Sequence, residues 1–162
     1  MSNKYSIVTG ASRGLGAAIA EELAREGYDV VITYCTQADK RKKSKSSLRQ
    51  ICVRVESYQL DIKDEEAVLA FRKWVEETLG TNLQVLVNNA GIYANMPAEE
   101  IASKTFCDII DVNVRYVLYD PSFCRLMIAN HYGKIINLCS AVGLRAAPGS
   151  IAYASSNLPS VA

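Results

Sequence analysis

Residues 9–16 could hold the phosphates of a nucleotide. They read TGASRGLG and lie between a short apolar run and a helical pattern. Gly10 would allow a tight turn, Gly14 would let the backbone approach a pyrophosphate, and Gly16 would let the helix pack closely on a sheet. The free N–H groups and the positive dipole end of such a helix attract phosphate. Glycines alone indicate only a turn, but this strand–turn–helix context predicts a dinucleotide-binding loop.

The end of the second apolar run bears on which dinucleotide would bind. A ribose 2′-hydroxyl is usually held by an acid about 20 residues after the glycine loop. Here the run ends with residues 33–36, TYCT, which contain no carboxylate, and Arg13 would lie beside the adenosine ribose. A cation without an acid favours a 2′-phosphate, and therefore NADP(H) over NAD(H). NAD(H) stays open as the alternative, because Asp39 could reach back to the ribose.

Five apolar runs predict the elements that position this loop. The runs are short, rich in β-branched residues and continuous, which is typical of strands buried on both faces of a parallel sheet. They are Tyr5–Thr9, Asp29–Tyr34, Ile51–Leu60, Leu83–Asn88 and Lys134–Cys139. Alternation with helices requires right-handed crossovers and predicts one α/β domain over residues 1–162, a Rossmann-like doubly wound parallel sheet. The strands fit the order 3-2-1-4-5, with ligands bound at the carboxyl ends of strands 1 and 4.

Helical patterns fill the intervals between the runs. The first ends at Gly27, and its apolar residues are spaced by four on one face: Leu15, Ile19 and Leu23. The second ends at Gly80 and starts with Asp64, Glu65 and Glu66, where the helix dipole favours acids. Its inner stripe consists of Val68, Phe71, Val75 and Leu79.

Two further stretches give weaker helical patterns. One runs from Ile101 to Tyr119, and Pro121 predicts a kink or break after it. The other, residues 39–50, is strongly basic and has a single leucine, so it can bury little. It predicts a solvated, poorly packed helix rather than a nucleic-acid patch.

Size, composition and charge are those of a globular protein with one domain. The chain has 162 residues, of which 49% are hydrophobic and 22% charged. Its formal net charge of +1 gives no strong field that would attract nucleic acid, a membrane surface or an acidic partner. We find no signal-peptide pattern and no apolar run long enough to span a bilayer, which predicts a cytoplasmic protein.

The cysteines and the histidine show no pattern of a metal site. The five cysteines are odd in number and contain no Cys-x-x-Cys pair, so buried, reduced thiols are expected rather than a disulfide framework or a zinc site. His131 has no metal-ligand spacing around it and is expected on the surface, in a turn between a helix and a strand.

In their order and spacing, several segments resemble the short-chain dehydrogenase/reductase family. Besides the loop at residues 9–16, they are LDI at 60–62, NNAG at 88–91 and Asn113 within DVNV. Ser140 closes the last strand, and Tyr153 follows thirteen residues later, at the family's interval. Residues 140–155 are most similar to the 3-oxoacyl-acyl-carrier-protein reductase branch, which belongs to fatty acid biosynthesis.

The resemblance implies roles for particular residues. Tyr153 would be the general acid in reduction, Ser140 would hydrogen-bond the substrate oxygen, and Asn113 would hold a water in the proton path. No metal is implied. The cofactor-binding residues would be Gly10, Ser12, Arg13, Gly14, Leu15, Gly16, Asp61, Ile62, Asn88, Ala90, Gly91 and Tyr153.

The sequence departs from the family pattern at position 157. The family has a lysine four residues after the tyrosine, which grips the nicotinamide ribose and lowers the tyrosine pKa, whereas this chain has Asn157. An amide could keep one ribose hydrogen bond but supplies no charge. Because tuned acid–base catalysis contributes about 10²–10⁴-fold, we expect much reduced turnover and less affected cofactor binding. Asn157→Lys is expected to raise the rate.

The other departure is the C-terminus. Pro159 would interrupt the family's helix, and the sequence lacks the family's last strands, its substrate lid and part of the interface through which members form homo-oligomers. Strand 5 would then be an exposed, apolar edge.

Three functions follow from these patterns. The first is an NADP(H)-dependent oxidoreductase that acts on the ketone of a small-molecule or acyl-thioester substrate, with impaired catalysis. The second is a non-catalytic dinucleotide-binding module. The third is an inactive fragment. Neither nucleic acid nor a membrane is an expected partner.

Overall fold

The computed structural model of the chain describes residues 4–36, 51–115, 121–145 and 147–157. Its centre is a sheet of five parallel strands in the order β3-β2-β1-β4-β5. The strands are β1 Tyr5–Val8, β2 Asp29–Tyr34, β3 Val55–Gln59, β4 Leu83–Asn88 and β5 Lys134–Asn137. The predicted Rossmann-like architecture and strand order are therefore confirmed.

Helices cover the sheet between the strands. They are α1 Gly14–Arg25, α2 Glu65–Leu79, α3 Ser103–Ile110, α4 Pro121–Ala129 and α5 Ile151–Asn157. A π-helical turn, Asp111–Arg115, continues directly from α3, and a 3₁₀ turn, Ala141–Gly143, follows β5.

The strand β3 is shorter than its apolar run. The run was predicted to pair from Ile51, but pairing with β2 begins where Val30 meets Val55. Ile51 and Val53 instead pack against the core from a bent segment. Ile51 and Val53 are therefore apolar because they pack against the core, although they do not pair as part of the strand. β1 and β5 likewise end one and two residues earlier than predicted.

The helix α1 approaches the sheet with small residues. Its buried positions are Gly16, Ala20 and Ala24, and Leu15 is 62% exposed. The predicted inward face of Leu15, Ile19 and Leu23 is thus wrong at Leu15, while the other two pack at the edge of the core. A larger side chain at the centre of the contact would hold helix and sheet apart. Gly27 ends the helix at φ +78°, as predicted.

The helix α2 follows its predicted pattern. Asp64 caps it, since a side-chain oxygen accepts the backbone N–H of Ala67 at 3.1 Å. The inner stripe is buried at Phe71 and Val75 and half-buried at its ends. Phe71 lies in an aromatic cluster with Tyr58, Trp74 and Phe123.

The third predicted helix is divided. An α-helix, α3, changes to the π-helical turn at Asp111, and a new helix begins at Pro121, where a kink or break was predicted. Proline is favoured at the first position of a helix because no intrahelical partner is needed for its missing N–H. Residues 116–120 lie outside the described part of the chain.

Two apolar clusters form the core, one on each face of the sheet. One face carries Ile7, Leu86 and the aromatic cluster of α2 and α4. The other carries Val8 and Val87 against α1. Consecutive residues of β1 and β4 thus point to opposite faces, as strand geometry requires.

The strand β5 lies at an edge of the sheet. All four of its residues are exposed, with Ile135 43% and Ile136 45% accessible. The predicted exposed, apolar edge is present in the described structure.

The other predictions away from the sheet have mixed outcomes. His131 is exposed in the turn between α4 and β5, at φ +52°. The five cysteines are free, but the expectation that they are buried is wrong: Cys124 is half-buried and the other four are exposed. The basic stretch at 39–50 and Pro159 lie outside the described residues. Across the described ranges, every helix is too short or too polar to cross a membrane.

Candidate functional site

A cleft of about 560 Å³ opens at the carboxyl ends of the strands, a volume within the usual range for small-molecule sites. It lies where β1 and β4 adjoin, the position at which parallel sheets of this type bind ligands. Eight of the predicted cofactor-binding residues line it: Gly10, Ser12, Arg13, Gly14, Asp61, Ile62, Ala90 and Gly91.

The glycine loop has the backbone that its sequence predicts. Gly10 and Gly14 have φ angles of +64° and +59°, in the left-handed region that glycine adopts without strain. A Cβ on Gly10 would lie 2.8 Å from Cα of Ala90, so a side chain is excluded there by space as well. Gly14 lines the cleft with open space around it and starts α1. Phosphates could therefore approach the first N–H groups of the helix.

A hydrogen-bonded clamp joins this loop to the turn after β4. The hydroxyl oxygen of Thr9 accepts the backbone N–H groups of Asn89 and Ala90, each at 3.0 Å. In return, Nδ2 of Asn89 donates to the carbonyl of Thr9 at 2.8 Å and to that of Gly10 at 3.3 Å. The two turns that border the cleft are thus held in one arrangement. Sequence motifs drew attention to Asn89 only as part of the NNAG segment.

Neither Gly16 nor Leu15 lines the cleft, and of the two only Gly16 supports the loop. A Cβ on Gly16 would collide with the side chain of Asn89 and lie 3.1 Å from Cα of Ala11. Gly16 is needed so that α1 can reach the clamp. Leu15 points outward to solvent.

Asn88 was predicted to bind cofactor but lies on the other face of the sheet. It is two residues after Leu86 and therefore points to the same side, where it is 3% exposed. Its Nδ2 donates to Oδ1 of Asn137 at 2.8 Å and so joins β4 to β5. In this structure the Asn88 side chain therefore makes a bond between strands, and a cofactor contact at this position stays a prediction.

One end of the cleft is formed by Asp61, Ile62 and Lys63. A carboxylate oxygen of Asp61 accepts the backbone N–H of Lys63 at 3.0 Å. The Lys63 ammonium lies 3.2 Å from Asp108 of α3, and this hydrogen bond raises its pKa. Lys104 and Lys63 together lower the pKa of Asp108. Lys63 is a cation of the cleft that sequence reasoning missed, although it follows the recognised LDI motif.

Residues 33–36 and Arg13 form the neighbouring wall. Arg13 is exposed and precedes α1 in an extended conformation. Among the described residues of this wall, Arg13 carries the charge. The carboxylate of Asp61 lies at the adjoining end of the cleft. Burial, followed by the charge of Asp61, raises the pKa of the Cys35 thiol. Asp39, the acid that could reverse the preference for NADP(H), lies outside the described residues.

Asn113 sits in the π-helical turn beside the cleft. Its Oδ1 accepts the backbone N–H of Ile92 at 2.9 Å, and its Nδ2 donates to the carbonyl of Ile92 at 3.0 Å. Ile92 and Val112 both line the cleft, although neither was predicted. Nδ2 also donates to the hydroxyl of Ser156 in α5 at 2.9 Å. Asn113 therefore links the cleft wall to the helix that carries Tyr153.

Ser140 is oriented by the 3₁₀ turn that it caps. Its Oγ accepts the backbone N–H of Val142 at 3.3 Å. A hydroxyl has one donor hydrogen and two acceptor lone pairs. This bond uses an acceptor position, so the O–H remains able to donate to a ligand oxygen.

Tyr153 lies in the first turns of α5, half-buried against Tyr93. The two rings meet edge to face, with centroids 5.1 Å apart and an interplanar angle of 84°. This geometry is favourable for aromatic pairs and fixes the ring. The backbone around Tyr93 is held from the same side, because the N–H of Met96 donates to the carbonyl of Gly149 at 2.9 Å. Tyr153 does not itself line the cleft wall described above.

Asn157 is buried and turned into the protein. Its Oδ1 accepts the backbone N–H of Ser140 at 2.9 Å, and its Nδ2 donates to the carbonyl of Tyr153 at 2.8 Å. It is 6% exposed and does not line the cleft. The expected hydrogen bond from this amide to a ribose is thus replaced by bonds within the protein.

Comparison with known proteins gives consistent matches over most of the chain. The model of the short chain dehydrogenase family matches residues 4–158. Gluconate 5-dehydrogenase of Gluconobacter oxydans is 33% identical over 154 residues, which are 94% of this chain and 59% of that protein. The 3-oxoacyl-acyl-carrier-protein reductase of Staphylococcus aureus is 35% identical over 151 residues, 93% of this chain and 61% of that protein.

A solved structure agrees with these matches. The structure of NAD⁺-bound xylitol dehydrogenase is similar with a TM-score of 0.90 at 31% identity, and covers 98% of this chain and 61% of that one. The chain spans about 60% of the length of the relatives that it matches.

Proposed function

The chain belongs to the short-chain dehydrogenase family, and from that premise we propose that it is an NADP(H)-dependent oxidoreductase that reduces the ketone of a 3-oxoacyl-thioester-like substrate. The observation that carries the proposal is that two features of the site lie next to each other. The open space beside Gly14 in the cleft is one of them. The other is the hydrogen-bonded group that connects Asn113, Tyr153 and Ser140 beside it.

The cleft fits a dinucleotide at its phosphate end. The N-terminus of α1 would hold the pyrophosphate through backbone N–H groups, and Gly14, which has open space beside it, leaves room for it. Asp61 and Ile62 would meet the adenine. When bound, the nicotinamide group supplies or accepts a hydride.

Two side chains would handle the substrate oxygen. The Ser140 hydroxyl would donate a hydrogen bond to the carbonyl oxygen and stabilise the charge that develops there. The Tyr153 hydroxyl would give that oxygen a proton while the carbonyl carbon receives the hydride, so that a ketone becomes a secondary alcohol. Asn113 would help to hold a water in the route by which the tyrosine recovers its proton.

The preference for NADP(H) rests on the wall formed by residues 33–36. A 2′-phosphate would lie near the Arg13 guanidinium, and planar guanidinium groups bind phosphate through two parallel hydrogen bonds. The uncharged residues Thr33–Thr36 offer no carboxylate that would repel it.

Position 157 favours a second candidate, a dinucleotide-binding module with little or no turnover. The amide of Asn157 gives Tyr153 no positive charge, and a tyrosine without a neighbouring cation is a slow acid–base group at neutral pH. Binding of the dinucleotide should be less affected than turnover, since the phosphate loop is held separately by the Thr9–Asn89 clamp.

One sequence of measurements separates these functions. NADPH and NADH are titrated into the purified chain and followed by nucleotide fluorescence, after which acetoacetyl thioester is added and loss of NADPH is followed by absorbance. Binding with turnover supports the oxidoreductase, and binding without turnover supports the module. Failure to bind either nucleotide would refute both.

A further inference from the structure

We propose that Asn157 is a positioning residue that holds Ser140 and Tyr153 in a fixed relation, with Ser156 extending the same connection to Asn113. The inference rests on the proposed function, because it concerns the residues assigned to its chemistry. Asn157 then has a positive role through its hydrogen bonds, in addition to the loss of the lysine charge at this position.

The central observation is that one buried amide joins two separate elements. The N–H of Ser140 belongs to the cap of the 3₁₀ turn, and the carbonyl of Tyr153 belongs to α5. Asn157 accepts from the first at 2.9 Å and donates to the second at 2.8 Å. A side chain with only donors or only acceptors cannot make both bonds, and an amide carries one group of each kind. The residue type therefore matches the two partners.

Ser156 carries the connection further. Its hydroxyl donates to the carbonyl of Tyr153 at 2.8 Å and accepts from Nδ2 of Asn113 at 2.9 Å. Nδ2 of Asn157 also lies 3.3 Å from the same hydroxyl oxygen. A continuous path of hydrogen bonds thus runs from Asn113 through α5 to the backbone of Ser140.

Packing around Asn157 is adapted to this contact. A Cβ on Gly143 would lie 2.9 Å from Cβ of Asn157 and 3.0 Å from its backbone carbon and oxygen. The 3₁₀ turn can approach α5 this closely only because Gly143 has no side chain. Asn157 and Ser156 are 6% and 2% exposed, so water does not compete readily for their bonds.

The reacting groups gain a defined separation from this arrangement. Ser140 keeps its donor hydrogen free because its Oγ accepts from Val142. Tyr153 is fixed at its ring by Tyr93 and at its carbonyl by Asn157 and Ser156. A misplacement of about 1 Å between groups that must act together can cost about 100-fold in rate.

The test compares Asn157→Leu, which has a similar size and no hydrogen bonds, with Asn157→Asp, which keeps the acceptor for Ser140. Hydrogen exchange at the Ser140 amide reports the contact without any need for turnover. We expect exchange to become about 10-fold faster in Asn157→Leu and to keep its protection in Asn157→Asp. In the same Leu variant kcat should fall about 100-fold, with the nucleotide Kd unchanged.

Ser156→Ala is the second variant, and it tests the same hydrogen-bonded connection if Asn157→Leu does not fold. It should lower kcat, because it removes the link to Asn113 and one bond to the Tyr153 carbonyl. It should leave the Ser140 amide protected, because the bond from that amide to Asn157 is kept. Asn137→Ala is the matched control: it deletes one amide partner at the same edge of the sheet and should leave kcat unchanged.

Two results would overturn the inference. One is wild-type exchange at Ser140 together with wild-type kcat in Asn157→Leu. The other is a loss of kcat in Asn157→Leu that is matched by an equal loss of nucleotide binding and of stability, which is the mark of a purely structural residue. If the unmodified chain neither binds nor turns over nucleotide, the proposed function fails, and the exchange comparison alone still decides whether Asn157 holds Ser140.

Discussion

The hydroxyl oxygen of Thr9 accepts the backbone N–H of Ala90 across 81 positions of sequence, at 3.0 Å. It accepts the N–H of Asn89 as well. Thr9→Val would leave both part-buried donors without this acceptor. We expect the free energy of unfolding to fall by about 2 kcal/mol and nucleotide affinity to fall with it. Denaturant unfolding measures the first and fluorescence titration the second.

The exposed Thr81 provides the control for this change. Thr81→Val should alter stability by no more than about 0.5 kcal/mol. Equal losses in the two variants would mean that the Thr9 hydroxyl has no special part in joining the turns.

Substitutions of Gly10 and Gly27 distinguish the cost of backbone strain from the cost of steric crowding. Both have positive φ, but a Cβ on Gly10 would meet Ala90 at 2.8 Å, whereas the space around Gly27 is open. Gly27→Ala should cost about 1 kcal/mol from backbone strain alone. Gly10→Ala should cost about 1–3 kcal/mol more and abolish nucleotide binding, because the clamp must shift. The two variants are compared by thermal unfolding. Equal losses of stability in Gly10→Ala and Gly27→Ala would contradict this expectation.

Arg13 is expected to select the phosphorylated nucleotide. Arg13→Ala should weaken NADPH binding about 10-fold, since a hydrogen bond to a charged group contributes about 1.5–3 kcal/mol, and should leave NADH binding nearly unchanged. Arg25→Ala is the control on the same helix, because Arg25 pairs with Glu21 and Glu22 outside the cleft. An equal loss for both nucleotides in Arg13→Ala would contradict the preference for NADP(H).

Tyr5 should make the protein sensitive to high pH. Burial, and then the Glu76 carboxylate, raise its pKa well above the ordinary value. An acid that binds its proton more tightly when folded gives its full stability below its unfolded pKa of about 10, and that stability is lost as the pH rises beyond it. Tyr5→Phe lacks the hydrogen bond to the Gly80 carbonyl, which should cost about 1 kcal/mol at neutral pH.

The measurement is unfolding free energy from neutral pH upward. Wild type should decline more steeply above pH 10 than Tyr5→Phe, so that the two curves converge. Parallel curves would show that the Tyr5 proton is not linked to folding.

The edge strand β5 should cause self-association. Ile136 is 45% exposed, and an apolar edge strand can pair with another chain. Ile136→Lys should raise the concentration at which association is seen by light scattering. Leu69→Lys changes a similarly exposed residue, 49% accessible, on α2 away from this edge. If both substitutions raised that concentration equally, general surface polarity would be responsible and not the edge.

Much of the fold could be predicted because the strands are continuous apolar runs. β2 and β4 have their predicted bounds, and the order of the five strands follows from the crossover rule. The ends of β3 could not be predicted, because burial of Ile51 and Val53 without pairing gives the same pattern as a strand. The outward position of Leu15 was missed for a similar reason, since close helix–sheet contact selects small residues.

The parts of the candidate site that could be predicted are those in which a sequence motif determines the backbone conformation. Gly10, Gly14 and Asp61 line the cleft as expected. The direction of the Asn88 side chain could not be predicted, because alternate strand residues point to opposite faces and the packing of Leu86 decides which face Asn88 shares. The inward turn of Asn157 depends on the position of Ser140, which lies in another element, so local sequence could not reveal it.

The strand order also determines how the chain can fold during synthesis. β1 is central, yet one of its two partners, β4, ends at Asn88. A nascent chain that has not yet emerged to this point exposes β1 along one side, and no short-range contact can replace the missing partner. The Thr9 clamp uses the N–H groups of Asn89 and Ala90, so the phosphate loop can be held in its final arrangement only after synthesis has passed residue 90.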